Sequence, residues 1–178
     1  NFTVLCPADY EQAKKAVKAA YDVKGPVYVR GVREGPPSFT TEKTPFAVGK
    51  AQVLRQGRDV TAIGHGYMVY WLLQLAEELQ HRVSIEVINL HTIKPLDEET
   101  ILHSARKTKR VFCAEDHNII GGMGSAVAEL LGEKYPVPMK RHGVYDEFTE
   151  SGSPRDLWKK YKLDKGGVEQ VLTSFVKK

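Results

Sequence analysis

The chain has 178 residues, enough for one domain or for one domain with a piece of another. Hydrophobic residues make up 42% and charged residues 27%, a globular balance, and no apolar run reaches the roughly 20 residues that span a bilayer, so a membrane span is excluded. The net charge of +4 is the balance of 26 basic and 22 acidic residues without a basic block carrying aromatics, which argues against nucleic acid as a partner.

The chain opens on an apolar run, "NFTVLC", read as a short strand. It begins at Asn1 and carries no basic-then-apolar leader, so a cytoplasmic protein that is part of something larger is expected. "PADYEQAKKAVKAAYDV" places Ala13, Val17, Ala20 and Tyr21 at helical spacing. "GPVYVRGV" is a strand opened by a Gly-Pro turn. Arg33 to Phe46, "REGPPSFTTEKTPF", combines three prolines with small polar residues and no periodicity, the composition of an extended, semi-rigid linker. Beyond it, "GKAQVLRQG" and "DVTAIGHG" read as strands and "YMVYWLLQLAEELQ" as a strongly apolar helix. "SIEVINL" is a strand, "HTIKPLD" a turn, and "DEETILHSARKT" a helix with Asp97 as its N-cap and acids in its first turn, where the helix dipole favours them. "RVFCAED" and "PVPMKRHGV" are strands around the helix "GSAVAELLGEK", and two further helices close the chain. This alternation predicts an α/β fold of three layers, a mostly parallel sheet with helices on both faces.

The richest chemistry lies in "CAEDHNIIGGMGSAV". Cys113, Glu115, Asp116 and His117 are possible metal ligands, but alternate residues of a strand face opposite ways and this segment alone cannot close a site. No spaced pair of cysteines or histidines elsewhere supplies the rest, so no metal ligands are assigned. Gly122-x-Gly124-x-x-Val127 follows a strand and opens a helix, as a dinucleotide cradle does. The third glycine is missing, however, and Glu115 and Asp116 at its mouth would repel a pyrophosphate. A tight strand-to-helix crossing is the simpler reading, with Gly121 and Gly122 supplying positive φ and Gly124 a close approach. A nucleotide- or effector-binding regulatory module using Gly121 to Gly124 is kept as the alternative.

The two cysteines, Cys6 and Cys113, form no disulfide framework and are expected as free thiols, with Cys113 buried. His65 sits between glycines at a strand end, where it faces an interface or acts as a general acid. His91 is read as fold punctuation, and His81, His103 and His142 as surface residues. Arg30 and Arg33 close a strand just before the linker. Their planar forks suit bidentate phosphate recognition; a surface pair is the other reading. No nucleophile elbow and no Walker loop occurs, and no catalytic residues are assigned.

Taken in order, "GPVYVRGVRE", "FAVGKAQVLRQGRDVTAIGHGYMV", "HTIKPLD", "AEDHNIIGGMGSAVAELL" and "GVYDEFTESGSPRDLWKKYKL" resemble the carboxyl-terminal part of a transketolase. Related thiamine-diphosphate enzymes, deoxyxylulose-phosphate synthase and the beta subunits of 2-oxoacid dehydrogenases, share the layout but usually differ around "TIKPLD" and "EDH". The resemblance implies a parent enzyme that moves a two-carbon ketol unit between sugar phosphates with thiamine diphosphate and Mg²⁺, as a dimer. It implies that residues 1–33 are the tail of a pyrimidine-binding domain, 34–46 a linker and 47–178 the carboxyl-terminal domain. It places Arg33 where substrate phosphate is contacted, with Arg30 in support. The coenzyme-activating glutamate and the diphosphate-metal site are implied to lie upstream of Asn1. The chain alone is therefore expected to be inactive, to hold no coenzyme or metal, and to stabilise an assembly with the remaining transketolase domains or subunit.

Overall fold

The computed structural model describes residues 1–177. Five strands form the larger sheet: β3 (Gln52–Arg55), β4 (Val60–Gly64), β5 (Ile85–Asn89), β7 (Val111–Asn118) and β8 (Met139–Val144), in the order β3-β5-β4-β7-β8. All pairs are parallel except β3 with β5, an antiparallel edge. Every residue of β4 and β5 is buried, as in a sheet covered on both faces, the polar Thr61, Glu86 and Asn89 included.

Period-2 alternation sorts the strand residues into two cores. Ala62, Val87, Phe112 and Ala114 face α2 (Tyr67–Glu78) and α6 (Lys165–Val176), which contribute Leu72, Leu75, Val168 and Leu172. Ile63, Ile88, Val111 and Cys113 face α3 (Glu98–Thr108) and α4 (Met123–Lys134), which contribute Ile101, Ala105, Met123 and Val127. The three-layer architecture predicted from the alternating pattern is thus present. A short helix, α5 (Pro154–Lys160), precedes α6.

The helices start where their caps predict. Asp97 accepts the Thr100 N–H, and Ser153 and Asp164 cap α5 and α6 in the same way. Asp9 caps α1 (Tyr10–Asp22) through the Gln12 N–H at 2.9 Å.

A second sheet has three strands, β2-β1-β6. β1 (Thr3–Leu5) and β2 (Val27–Val29) are parallel, as the sequence leads one to expect. The third is a correction. "HTIKPLD", read as a turn, contributes β6 (Thr92–Lys94), antiparallel to β1. Only three residues extend before Pro95, too few for a periodic signal, and the pairing is set by β1 some 90 residues away in sequence. Segment 34–46 carries no helix or strand, yet it is tied down: Asp9 accepts from the Phe39 and Thr40 N–H groups and from the Thr40 hydroxyl.

His142, read as a surface residue, is buried at 1% exposure. His142, on the same face of β8 as buried Val144, stacks its ring near Phe112, and its Nε2–H donates to the Lys162 carbonyl at 2.8 Å. His81 and His103 are exposed, as expected. Both cysteines are buried free thiols. No helix among the described residues is long and apolar enough to cross a membrane.

Candidate functional site

Parallel strands deliver their carboxyl ends to one edge of the fold. There Cys6 follows β1, Arg30 follows β2, His65 follows β4, and Glu115, Asp116 and His117 lie in the last part of β7. The register of β4 on β7 pairs Gly64 with Ala114, so His65 and Glu115 are the next residues on neighbouring strands. Together with the loop before α4 they border a cleft of about 650 Å³, lined by Cys6, Arg30, His65, His117, Gly121 and Gly122.

The polar contacts form a chain. Cys6 Sγ lies 3.0 Å from His65 Nδ1, and His65 Nε2 lies 3.2 Å from His117 Nε2. The two imidazoles stack, with centroids 5.2 Å apart and planes 13° from parallel. His117 Nδ1 is 2.9 Å from the Asn118 carbonyl, an acceptor, so Nδ1 carries the proton and donates. His117 Nε2 is also 3.5 Å from Glu115 Oε2. Burial dominates the electrostatics. It pushes the Cys6 thiol up to about 11 and the His65 ring down to about 3, so both are neutral near pH 7. Burial also holds the Glu115 carboxyl above its usual range.

The glycines serve that carboxylate. Gly121 has φ +71°, as predicted, but Gly122 does not need positive φ; its φ is −90°. A Cβ on Gly122 would come within 2.3 Å of Glu115 Oε2, and one on Gly124 within 2.9 Å of Glu115 Oε1. The Gly124 N–H donates to Glu115 Oε2 at 3.3 Å. The space a pyrophosphate would take is therefore filled by an acidic side chain of the same chain, which disfavours the nucleotide reading. Val127 is buried in the core, where a fingerprint would need a third glycine.

Of the residues predicted to meet phosphate, Arg30 is turned inward. It forms an ion pair with Asp116 at 2.8 Å and approaches Cys6 Sγ at 3.8 Å. Arg33 stays exposed, bordering with Arg30, Asp116 and Trp158 a recess of about 190 Å³. His91 is not at this edge; it is buried between β5 and β6, stacked on Phe46 at 4.3 Å and 3.2 Å from the Thr92 hydroxyl. Cys113 points into the core beside Met123 and Val127. Sequence reasoning missed the convergence of His65 with His117 and Glu115. A signal existed in "GHG" and "EDH", each at the carboxyl end of a strand, but only the strand order makes them neighbours.

The comparisons agree with this architecture. The chain matches the family "Transketolase, C-terminal domain" over residues 49–168. It is 45% identical over 164 residues to a 6-deoxy-6-sulfo-D-fructose transketolase subunit of Clostridium sp. (strain MSTE9), covering 92% of this chain and 51% of that one. It is 42% identical over 174 residues to the 1-deoxy-D-xylulose-5-phosphate synthase of Desulfitobacterium hafniense (strain DSM 10664 / DCB-2), covering 94% of this chain and 27% of the synthase. A solved structure described as a split gene transketolase, inactive beta4 tetramer, superposes with a TM-score of 0.94 at 39% identity, covering 99% of this chain and 58% of that one. The chain thus spans between about a quarter and just over half of the length of these relatives. With the family matched over residues 49–168 and the fold superposing over 99% of the chain, the chain belongs to the transketolase C-terminal domain family.

Proposed function

We propose that this chain is the carboxyl-terminal part of a thiamine-diphosphate- and Mg²⁺-dependent transketolase that moves a two-carbon ketol unit between sugar phosphates. Residues 1–33 serve as the tail of its pyrimidine-binding domain, 34–46 as linker and 47–178 as the carboxyl-terminal domain. The parent works as a dimer in the cytoplasm, completed by further transketolase domains or a second subunit. The names of the relatives support this: one is a transketolase subunit, and another is a split gene transketolase.

One observation carries the reading at the level of side chains. Arg30, from the first 33 residues, is clamped by Asp116 of β7, which fixes the end of β2 and leaves Arg33 exposed beside the cleft. A positive fork exposed four residues beyond that clamped strand end is suited to a substrate phosphate. The coenzyme is a different matter. When bound, thiamine diphosphate supplies the carbanion that carries the ketol unit. Mg²⁺ with a diphosphate takes oxygen donors, whereas the donor cluster among the described residues is two imidazoles and one carboxylate. These residues do not fit the diphosphate-metal group, and its grip is assigned to the other domains. In this reading the present residues orient substrate and join the assembly.

The test is reconstitution. The chain alone, given thiamine diphosphate, Mg²⁺ and sugar phosphates, is expected to show no ketol transfer, and to show it once a polypeptide carrying the remaining domains is added. Turnover by the chain alone overturns the proposal. In the reconstituted enzyme Arg33→Ala should raise KM for the phosphorylated substrate about 10- to 100-fold, the loss of one charge-assisted bond, with kcat changed far less. An unchanged KM removes Arg33 from the site. Condensation of pyruvate with a triose phosphate in place of ketol transfer would assign the chain to the synthase branch of its relatives.

A further inference from the structure

His65, His117 and Glu115 bring one donor atom each to within 4.8 Å of one another. Two of the three separations are those of ligands around an ion: 3.2 Å between the two Nε2 atoms, and 3.5 Å from His117 Nε2 to Glu115 Oε2. A tetrahedral ion bound at about 2.0–2.1 Å holds its donors about 3.3–3.4 Å apart. The outer partners are also in place. A ligating imidazole normally donates its other ring N–H to a fixed acceptor. His117 Nδ1–H does so to the Asn118 carbonyl, and His65 Nδ1 has Cys6 Sγ at 3.0 Å.

Protons alone account for this cluster less well. A chain from the Cys6 thiol through His65 to His117 satisfies both rings. It uses the one in-plane electron pair of His117 Nε2, which then has nothing to offer Glu115. That carboxylate is fully buried, its Oε1 has no hydrogen-bond partner, and only backbone N–H groups at the start of α4 face it, Gly124 at 3.3 Å and Met123 beside it. The nearby cations make their hydrogen bonds elsewhere: Arg30 pairs with Asp116, and Arg141, whose charge acts on Glu115 without a hydrogen bond to it, donates to the Ile119 carbonyl and the Ser125 hydroxyl. A buried carboxyl with so few partners calls for a proton or a positive charge, and a bound cation supplies the second.

We propose that His65, His117 and Glu115 form a binding site for a Zn²⁺-class divalent cation, with its fourth position open to the cleft that His65 and His117 line. Two nitrogens and one oxygen with an open position suit zinc and not Mg²⁺, so this site is separate from the metal that accompanies a diphosphate. Water or an anionic oxygen would take the open position.

Calorimetric titration of the chelator-stripped chain with Zn²⁺, and visible absorption with Co²⁺, test the proposal without reference to turnover. One site per chain, tetrahedral Co²⁺ bands and a Zn²⁺-dependent rise in Tm are expected, with no shift from millimolar Mg²⁺. Glu115→Gln, which keeps the shape, and His117→Asn, at a half-buried strand end, should each weaken Zn²⁺ by more than the roughly 10–100-fold typical of losing an outer partner. Replacing the exposed His81 and His103 together by Ala should leave affinity unchanged. Absence of binding by the native chain, retention of full affinity in a folded Glu115→Gln or His117→Asn variant, or loss on removing His81 and His103 overturns the site.

Discussion

The two sheets solve the burial problem in opposite ways. The five-stranded sheet is covered by helices on both faces, and its middle strands β4 and β5 are buried at every position. The three-stranded sheet has only partly buried residues in β2, and Phe2 and Tyr28 are more than half exposed. Its helix α1 leaves Tyr10, Val17 and Tyr21 exposed as well. What joins the small sheet to the large one is largely polar, with Ile93 of β6 an apolar contact to the core under the large sheet. Gln12 bonds Gln52 at 2.9 Å and Asn89 at 3.1 Å, Asp9 ties segment 34–46, and Arg30 meets Asp116. The larger unit is thus held by apolar packing, whereas the smaller one has few buried apolar residues, Leu5, Ala8 and Ala16 among them, and relies also on hydrogen bonds and one borrowed strand. The candidate site lies on the seam between them, and both halves contribute side chains.

The largest effect that can break this comparison is a cavity in the apolar unit. Leu72 of α2 is fully buried against the sheet, and Leu72→Ala should cost about 3–4 kcal/mol in a urea titration. Val27→Ala, in half-buried β2, should cost less than about 1 kcal/mol, since little transfer energy and almost no cavity are involved. Equal losses would mean that the small sheet is as tightly packed as the large one.

Next in size is the polar seam. Asp9 is 5% exposed and accepts from Gln12 N–H, Phe39 N–H, Thr40 N–H and the Thr40 hydroxyl. Asp9→Ala removes a helix cap and leaves those donors to water, at a cost of about 2–3 kcal/mol. The same change should open residues 34–46 to limited proteolysis while α2 and β4 stay protected. Protection that falls evenly across both sheets would contradict the division.

The difference between the two units also explains what the sequence revealed. Apolar strands and capped helices carry their own signature, so β3, β4, β5, β7 and β8 and the three layers were legible in runs such as "DVTAIGHG" and "RVFCAED". Asp97 was legible as a cap because capping is local. β6 was not, because three residues before a proline take their conformation from β1. His142 read as surface because nothing local shows that a strand's polar residue will face Phe112. At the site, Glu115, Asp116 and His117 were legible as possible ligands that cannot close a site by themselves, yet their partners were not. His65 is 52 residues from His117, and Arg30 reaches Asp116 from the other sheet. Gly122 and Gly124 were legible as special but for the wrong reason at Gly122. Backbone freedom is a local need, whereas room for the Glu115 carboxylate is a tertiary one.

The smallest effect concerns pH at the seam. His91 joins β5 to β6, is 1% exposed, and its carbonyl accepts from the Cys6 N–H at 2.8 Å. Burial pushes its pKa down from 6.5 to about 4, with Asp97 opposing. Above pH 6.5 neither folded nor unfolded chain protonates this ring. Between 6.5 and 4 the unfolded chain takes a proton that the folded one refuses, so stability present at neutral pH is lost as pH falls, by up to about 1.4 kcal/mol per unit. His142, also lowered by burial, acts with the same sign, while Glu115, raised by burial, takes up its proton more readily when folded and offsets part of the loss. His91→Gln should therefore reduce the loss of stability between about pH 7 and pH 5 by about 1–2 kcal/mol. Hydrogen exchange near pH 5 locates the weakness. Amides of β1 and β6 should exchange before those of β4 and β5, and the variant should slow them. Simultaneous exchange of both sheets would show that protonation at His91 loosens the whole fold and that the seam has no stability of its own.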